Sequence, residues 1–323
     1  MTDSAPTLPH PMLLNGLNHI PPPSIQEFDS VFGGLLPPGT SIPSSWGTTR
    51  YYDFGPHCQP SARRVILLHG GGACAIGMAP LAFKLAAAGS RVVIYDLWGH
   101  GLSSTPLETH TPALFHAQLL ELLALLRWNK VHLLGFSIGG SVATTFAARH
   151  PSVVESLVIV AGAGLLRKSE RGWWDGLILD GGWGREGMSR RKIMKFVNGS
   201  NPELKPDWKE RLLKGEVDTV PIEKWEREIH KGHVASLVSM FRYAGVYDQH
   251  AEYRKLANGD VPVLVIMGKK DHVIEPEYTK SELSRYGWQG KIIVVDGATH
   301  EIARSHAQEV ADLAGEMWGS LEK

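Results

Sequence analysis

The stretch Val131-His132-Leu133-Leu134-Gly135-Phe136-Ser137-Ile138-Gly139 places a serine between an apolar strand and a helix rich in small residues. A serine that projects from a sharp strand-to-helix turn needs small neighbours, because larger side chains would collide with the turn. Gly135 and Gly139 meet this need in a Gly-x-Ser-x-Gly pattern. The pattern alone is a weak signal, and an incidental serine in a glycine-rich turn is the alternative. The strand before it and the helix predicted from Ile138 to Arg149 favour Ser137 as a nucleophile.

Short apolar strands alternate with helical stretches on both sides of this turn. The predicted strands are Arg64–Leu68, Arg91–Asp96, Val131–Leu134, Ser156–Val160, Val261–Met267 and Lys291–Val295. Continuous apolar strands of this kind are buried on both faces, which is typical of parallel sheets built from strand–helix–strand units. The pattern therefore predicts an α/β fold, with a mostly parallel central sheet and helices on both of its faces.

The chain is expected to divide into three parts. Residues 1–45 are rich in Pro, Ser and Gly and are predicted to form an irregular N-terminal arm. Residues 46–164 and 259–323 carry the α/β pattern of a core domain, beginning with an antiparallel strand from Trp46 to Phe54. Residues 165–258 show helical pieces and no convincing strand, so they are predicted to be a helical insert. Half of the ten tryptophans lie there: Trp173, Trp174, Trp183, Trp208 and Trp225.

The amino-acid composition limits the kinds of molecule that this protein is expected to bind. Lys+Arg and Asp+Glu balance at 33 each, so no net field favours nucleic acid or an anionic membrane, and a small, largely uncharged ligand is expected. The two cysteines, Cys58 and Cys74, are too few for a disulfide framework or a thiolate metal site. No secretory leader or apolar span of roughly 20 residues is visible. A cytoplasmic protein without metal or organic cofactor is the expectation, and its oligomeric state is not indicated.

A serine hydroxyl needs a neighbouring base, which in turn needs an acid to orient it. In this architecture the expected chain order is Ser, acid, His, with the acid after a late strand and the histidine after the last one. The strand Val263–Met267 leads through Gly268-Lys269-Lys270 to Asp271, and Lys291–Val295 leads through Asp296-Gly297-Ala298-Thr299 to His300. We therefore predict Asp271 as the acid and His300 as the general base.

Each assignment has rivals close by in the sequence. Asp296 lies nearer to His300, but its place at a strand end favours a role in capping the turn. Glu301 adjoins the base and is expected to point away from it. His272 follows Asp271 and is interpreted as a loop residue.

A negatively charged tetrahedral intermediate requires backbone N–H donors. Ile138, the residue after the serine, is one expected donor, and the loop after the first parallel strand supplies the other. In that loop, His69-Gly70-Gly71-Gly72, Gly71 is the first choice and Gly70 the second. The loop lacks the spacing and the Lys-Ser/Thr ending of a nucleotide-binding loop, which argues against phosphate binding.

With these motifs in their order, the chain resembles the α/β-hydrolase superfamily, in the lidded branch of esterases, enol-lactonases and carbon–carbon bond hydrolases. The resemblance rests on His69–Gly72, Asp96–Ser103, Gly135–Gly140, Gly268–Asp271 and Gly297–His300. Epoxide hydrolases and dehalogenases of the branch carry Asp as nucleophile, so Ser137 argues against both.

The resemblance implies that residues 165–258 are a lid that forms much of the substrate pocket. Substrate contacts are expected from Phe136, Trp174, Trp183 and Tyr243, with packing of the lid as the alternative. Arg242 and Tyr247 are interpreted in the same two ways, and His100 as structural.

The leading functional prediction is hydrolysis of an ester or lactone of a small, mainly apolar molecule, through an acyl-enzyme on Ser137. Carbon–carbon hydrolysis of a vinylogous diketone is the alternative within enzymes. A small-molecule receptor, or a non-hydrolytic enzyme of secondary metabolism, is compatible with the same fold.

Overall fold

The computed structural model describes residues 6–10, 13–14, 16–55, 62–170, 180, 186–198, 204–216 and 218–322. The strands are β1 (His19–Ile20), β2 (Gly39–Ser44), β3 (Gly47–Phe54), β4 (Arg64–Leu68), β5 (Arg91–Tyr95), β6 (Thr105–Pro106), β7 (Val131–Phe136), β8 (Val154–Val160), β9 (Val263–Gly268) and β10 (Lys291–Val295). The α-helices within these ranges are α1 (Ile25–Phe32), α2 (Ala79–Ala87), α3 (Pro112–Leu126), α4 (Ile138–Arg149), α5 (Glu186–Asn198), α6 (Trp208–Leu213), α7 (Thr219–Ile229), α8 (His233–Tyr243), α9 (His250–Ala257), α10 (Pro276–Ser284), α11 (Ile302–Ser305) and α12 (Ala307–Leu321). None of them is long and apolar enough to cross a bilayer.

Eight strands form one sheet in the order β10-β9-β8-β7-β4-β5-β3-β2. The pairs β2–β3 and β3–β5 are antiparallel, and the other pairs in this sheet are parallel. The strand order reverses beside β4, because β5 lies on one side of it and β7 on the other. At such a reversal the loops after two neighbouring strands diverge and leave a crevice. The mostly parallel sheet predicted from the sequence is confirmed.

The sheet is covered on both faces, as its strand composition predicts. In β4, Val65 and Leu67 pack in a cluster with residues of α2 and α12. The alternate residues Ile66 and Leu68 pack in a second cluster with residues of α3 and α4. Successive side chains of a strand point to opposite faces, so the run of apolar residues in β4 is needed to fill two cores.

The N-terminal arm is more regular than its composition suggests. It contains α1 and β2, and β1 pairs with β6 of the core. A capping box begins α1: Ser24 Oγ accepts from the Glu27 backbone N–H at 3.2 Å, and the Ser24 N–H donates to Glu27 Oε2 at 2.9 Å. Residues 25–32 and 39–44 are thus regular helix and strand within an arm that is predicted to be irregular. Ser24 and Glu27 form the Ser-x-x-Glu pattern that is typical of a helix start. The helix is short and lies between prolines, so this pattern alone did not predict it.

The apolar side of α1 joins the arm to the helical insert. Phe28 and Phe32 are buried, and their rings lie 5.4 and 6.0 Å from the Trp225 ring of α7 in edge-on geometry. The same cluster contains Cys74 and Ile76 of the core. One small apolar cluster therefore holds the arm, the core and the insert together.

The insert lies between β8 and β9, and its described helices are α5 to α9. Its two ends are joined by backbone hydrogen bonds: Gly164 N–H to Val246 O at 3.0 Å, and Gln249 N–H to Gly164 O at 2.8 Å. Beside this neck, Glu282 of α10 accepts from Arg167 at 2.5 Å. The insert is thus attached to the core through a narrow, closed neck.

Replacing Phe32 by alanine is expected to lower the free energy of unfolding by about 3–5 kcal/mol, because a large ring is removed from a packed cluster. Urea denaturation followed by tryptophan fluorescence measures this, since Trp225 lies in the cluster. Ile25→Ala is the matched control, as Ile25 is 42% exposed on the same helix, and a change within about 0.5 kcal/mol is expected. Equal effects of the two substitutions would contradict the packing role of α1.

Candidate active site

Ser137 stands at the junction of β7 and α4 with an unusual backbone. Its φ of 53° and ψ of −120° are values that residues with side chains rarely adopt. Several backbone hydrogen bonds hold it. Ser137 N–H donates to Val160 O at 3.1 Å, and Ser137 O accepts from the N–H groups of Gly140 at 2.9 Å and Ala163 at 3.0 Å. A strained backbone of this type persists only where its surroundings enforce it, and it projects the side chain away from the sheet.

The glycines on either side of Ser137 are required by space. A Cβ on Gly135 would lie 2.4 Å from Gly139 O, and a Cβ on Gly139 would lie 2.4 Å from His69 O. The first contact lets the helix start directly above the strand. The second brings the loop after β4 against the start of α4, so that Gly71 and Ile138 are neighbours.

Three side chains from distant parts of the sequence meet beside this turn. His300 Nε2 lies 3.1 Å from Ser137 Oγ, and His300 Nδ1 lies 2.9 Å from Asp271 Oδ2. Asp271 is buried, and its other oxygen accepts from the N–H groups of Val273 and Ile274 at 2.8 Å each. The carboxylate is thus fully bonded and fixed in orientation by its own loop.

The rival residues occupy other positions. Asp296 is exposed and pairs with Lys269 at 2.7 Å, at the end of β10. His272 is exposed next to Asp271. Glu301 forms an ion pair with Arg304. Among the described hydrogen bonds of His300, none involves His272 or Asp296.

A cavity of about 170 Å³ opens over Ser137 and His300. Gly70, Gly71, Phe136 and Ile138 also line it. Much of its wall is apolar and comes from the insert and the loops, including Ala163, Leu166, Phe196, Phe241, Val246 and Ile274. The candidate nucleophile, base and N–H donors therefore face one small, largely apolar space.

The residues predicted to contact the substrate differ in their position relative to the cavity. Phe136 lines the cavity, with its ring 5.2 Å from the His300 ring. Tyr243 is 46% exposed and does not line the cavity. Trp174 and Trp183 lie outside the described residues, as do Trp173 and Cys58.

Other aromatic and basic residues of the insert have structural contacts. Trp208 and Trp225 pack against Phe32 of the arm. Arg242 bonds to Glu186 Oε2 at 2.8 Å, within the insert. Tyr247 lines the cavity, as the first of its two interpretations predicts.

Two charged residues of the cavity wall were not singled out from the sequence. Arg304 lies four residues after His300, on α11, and Glu223 lies on α7 of the insert. Burial raises the pKa of Glu223 to about 7, and burial lowers the pKa of Arg304 to about 10. The spacing of Arg304 from His300 was visible in the sequence, whereas the approach of Glu223 depends on how the insert folds.

A cluster of buried histidines lies behind the loop after β4. The rings of His69 and His100 are 5.1 Å apart, and those of His100 and His233 are 4.7 Å apart. His69 accepts from Leu97 N–H at 2.9 Å through Nε2 and donates to Gly70 O at 2.7 Å through Nδ1, which requires its neutral form. Burial lowers the pKa of His69 to about 4 and that of His233 to about 3. These histidines support the loop as neutral groups.

Residues 63–303 match the family described as alpha/beta hydrolase fold. The chain belongs to this family. Its sheet order and its helices agree with that assignment.

The similar proteins are described as having different activities, and some are uncharacterized. Lipase 1 of Psychrobacter immobilis is 26% identical over 260 residues, covering 77% of this chain and 74% of the lipase. Uncharacterized proteins of Mycobacterium tuberculosis and Mycobacterium bovis are 32% identical over 107 residues, covering 33% of this chain, and the match spans only 31% of their own length. The enol-lactonase structure from Burkholderia xenovorans LB400 is similar with a TM-score of 0.65 at 20% identity, over 87% of this chain and 100% of the lactonase.

The buried histidines predict a loss of stability on acidification. Their pKa values are lowered from 6.5, so their contribution is fully present above pH 6.5. It is lost as the pH falls towards about 4 for His69 and His230, and towards about 3 for His233. Burial raises the pKa values of Asp96, Glu223 and Glu226, so these carboxyls act in the opposite sense. For Asp96 and Glu223, the stability that they contribute is lost as the pH rises from about 4 to 7.

The histidines with lowered pKa outnumber these carboxyls, so we expect a lower thermal midpoint at pH 5 than at pH 7.5. They are His69, His100, His110, His116, His132, His230 and His233. Scanning calorimetry across this range measures the slope, and His100→Gln should make it shallower. An equal or higher midpoint at pH 5 would contradict the expectation.

Proposed function

We propose that this protein is a serine hydrolase that cleaves an ester or lactone of a small, mainly apolar molecule through an acyl-enzyme on Ser137. One observation carries the proposal: the hydrogen-bonded chain from Ser137 Oγ through His300 to Asp271, facing a largely apolar cavity. The lipase and the lactonase among the similar proteins support ester chemistry.

The proton positions follow from the partners of His300. Asp271 Oδ2 accepts from Nδ1, which leaves Nε2 free to accept the hydroxyl proton of Ser137. Ser137 Oγ then attacks the substrate carbonyl. His300 passes the proton to the leaving oxygen, and an acyl-enzyme remains. Water, deprotonated by His300, attacks the acyl group and releases the acid.

The negative charge of each tetrahedral intermediate is assigned to backbone donors at the cavity wall. Ile138 N–H begins α4, and Gly71 N–H is the partner that we favour, with Gly70 second. Loss of one such donor typically costs roughly 3 kcal/mol of transition-state stabilisation. Neither donor requires a side chain, which agrees with the glycines in this loop.

Residues 165–258 are assigned the role of a lid, residues 1–45 that of an arm, and residues 46–164 and 259–323 that of the catalytic core. The insert supplies Phe196, Phe241 and Val246 to the cavity wall. A lid of this kind excludes water and selects the shape of the substrate. The cavity, at about 170 Å³, suits a small acyl or alcohol group.

Labelling with a fluorophosphonate probe tests the nucleophile. We expect one label on Ser137 in peptide mass mapping, and its loss in Ser137→Ala. The control is Ser305→Ala, since Ser305 is exposed near His300 and has no contact to it among those described. Labelling at another residue, or equal labelling of Ser137→Ala, would overturn the proposal. Turnover of aryl esters, lactones and a vinylogous diketone then separates ester cleavage from carbon–carbon cleavage.

Asp271→Asn is expected to lower kcat on aryl esters by about 10⁴-fold, because the wrong tautomer of His300 would be favoured. Asp296→Asn, which removes the rival carboxylate, should leave kcat within about twofold, a shift of less than 0.5 kcal/mol. Steady-state kinetics of the two purified variants provide the comparison. The opposite ranking would transfer the role of the acid to Asp296.

A further inference from the structure

The cavity over Ser137 has one wall that differs from the rest. Arg304, Glu223 and Glu301 lie there together, whereas much of the remaining lining is apolar. Only 9% of the Arg304 side chain is exposed. A cation is costly to bury beside apolar groups unless an anion or several acceptors compensate for the lost water.

Arg304 lies close to the reacting groups. Its Cζ is 5.3 Å from the centre of the Phe136 ring, and that ring is 5.2 Å from the ring of His300. One aromatic side chain therefore separates the guanidinium from the proposed base. A substrate group bound by Arg304 would lie within the same small cavity as the carbonyl under attack.

The two carboxyls near Arg304 stand in different surroundings. Glu301 pairs with Arg304, is 48% exposed, and with it lines a groove on the outer surface. Glu223 is more enclosed, and its pKa is raised by burial to about 7 against the opposing effects of Arg304, Thr219 and Arg227. Asp218 adds to this increase. Near neutral pH, Glu223 therefore carries its proton for much of the time, and the charge of Arg304 is balanced mainly from the outer side, by Glu301.

From this arrangement we propose that Arg304 and Glu223 form an anion subsite that takes a carboxylate of the substrate. The inference rests on the proposed function and names its substrate class: esters or lactones that also carry a carboxylate, such as half-esters of short dicarboxylic acids. The guanidinium fork matches a carboxylate in two hydrogen bonds. Protonated Glu223 donates a further one, so binding of the anion is coupled to retention of that proton.

A different role for the same residues is structural. Arg304 belongs to α11 of the core and Glu223 to α7 of the insert, so their attraction could serve only to hold the insert in place. This reading predicts no preference for charged ligands.

Binding to the Ser137→Ala variant separates the subsite from catalysis. Isothermal calorimetry compares the monomethyl esters of succinate, glutarate and adipate with their dimethyl esters. We expect one half-ester to bind at least tenfold more tightly than its dimethyl ester. The preference should disappear in Arg304→Gln, fall partly in Arg304→Lys, and persist in Arg191→Gln, which removes an exposed arginine of the insert. Equal affinities, or no binding by any half-ester, would overturn the proposal.

Glu223→Gln provides a test that does not depend on how well the Arg304 variants fold. In the Ser137→Ala background, affinity for the half-ester should fall as the pH rises from 6 to 8, because ionised Glu223 competes for Arg304. Glu223→Gln should abolish that fall and retain tight binding at pH 8. An unchanged pH profile would overturn the role of Glu223. Failure of labelling at Ser137 would refute the hydrolase proposal and leave these binding results intact.

Discussion

The turn at Ser137 must reverse the chain from a central strand into a helix within a single residue. A non-glycine residue in this conformation costs on the order of 1–3 kcal/mol, and the hydrogen bonds to Val160 and from Ala163 hold it there. The required closeness of α4 to β7 and to the loop after β4 leaves no room for a Cβ on Gly135 or Gly139. The same restriction brings Gly71 next to Ile138. The proposed nucleophile and the proposed N–H donors are thus parts of one rigid corner.

The other chemical groups reach this corner because parallel strands end at the same edge of the sheet. Asp271 follows β9 and His300 follows β10, two neighbouring strands. Burial of the Asp271 carboxylate is tolerated because it accepts from Val273, Ile274 and His300. The apolar walls of the cavity strengthen each of these electrostatic contacts by excluding water.

The α/β architecture could be predicted because strands buried on both faces have a distinctive apolar composition. The chain order of serine, acid and histidine led to Ser137, Asp271 and His300, which the fold brings within hydrogen-bond distance. The helix α1 was missed, since eight residues between prolines carry little periodicity. Which residues of the insert face the cavity could not be predicted either: an amphipathic helix shows which side is buried, but not against what. Trp225 packs against the arm, whereas Glu223, two residues earlier, lines the cavity with Arg304.

The contact between α1 and the insert affects the order in which the chain can fold during synthesis. Phe28 and Phe32 precede strands β2 to β8 in the chain, whereas Trp225, against which they pack, follows those strands. Domains tend to fold as units during translation, and exposed apolar surface promotes aggregation in the interval. Until α7 emerges, the two phenylalanines lack the Trp225 side of their cluster and have only its core members, such as Cys74 and Ile76, to pack against. The arm is therefore translated before most of the core strands, yet it can complete its contacts only after α7 has emerged.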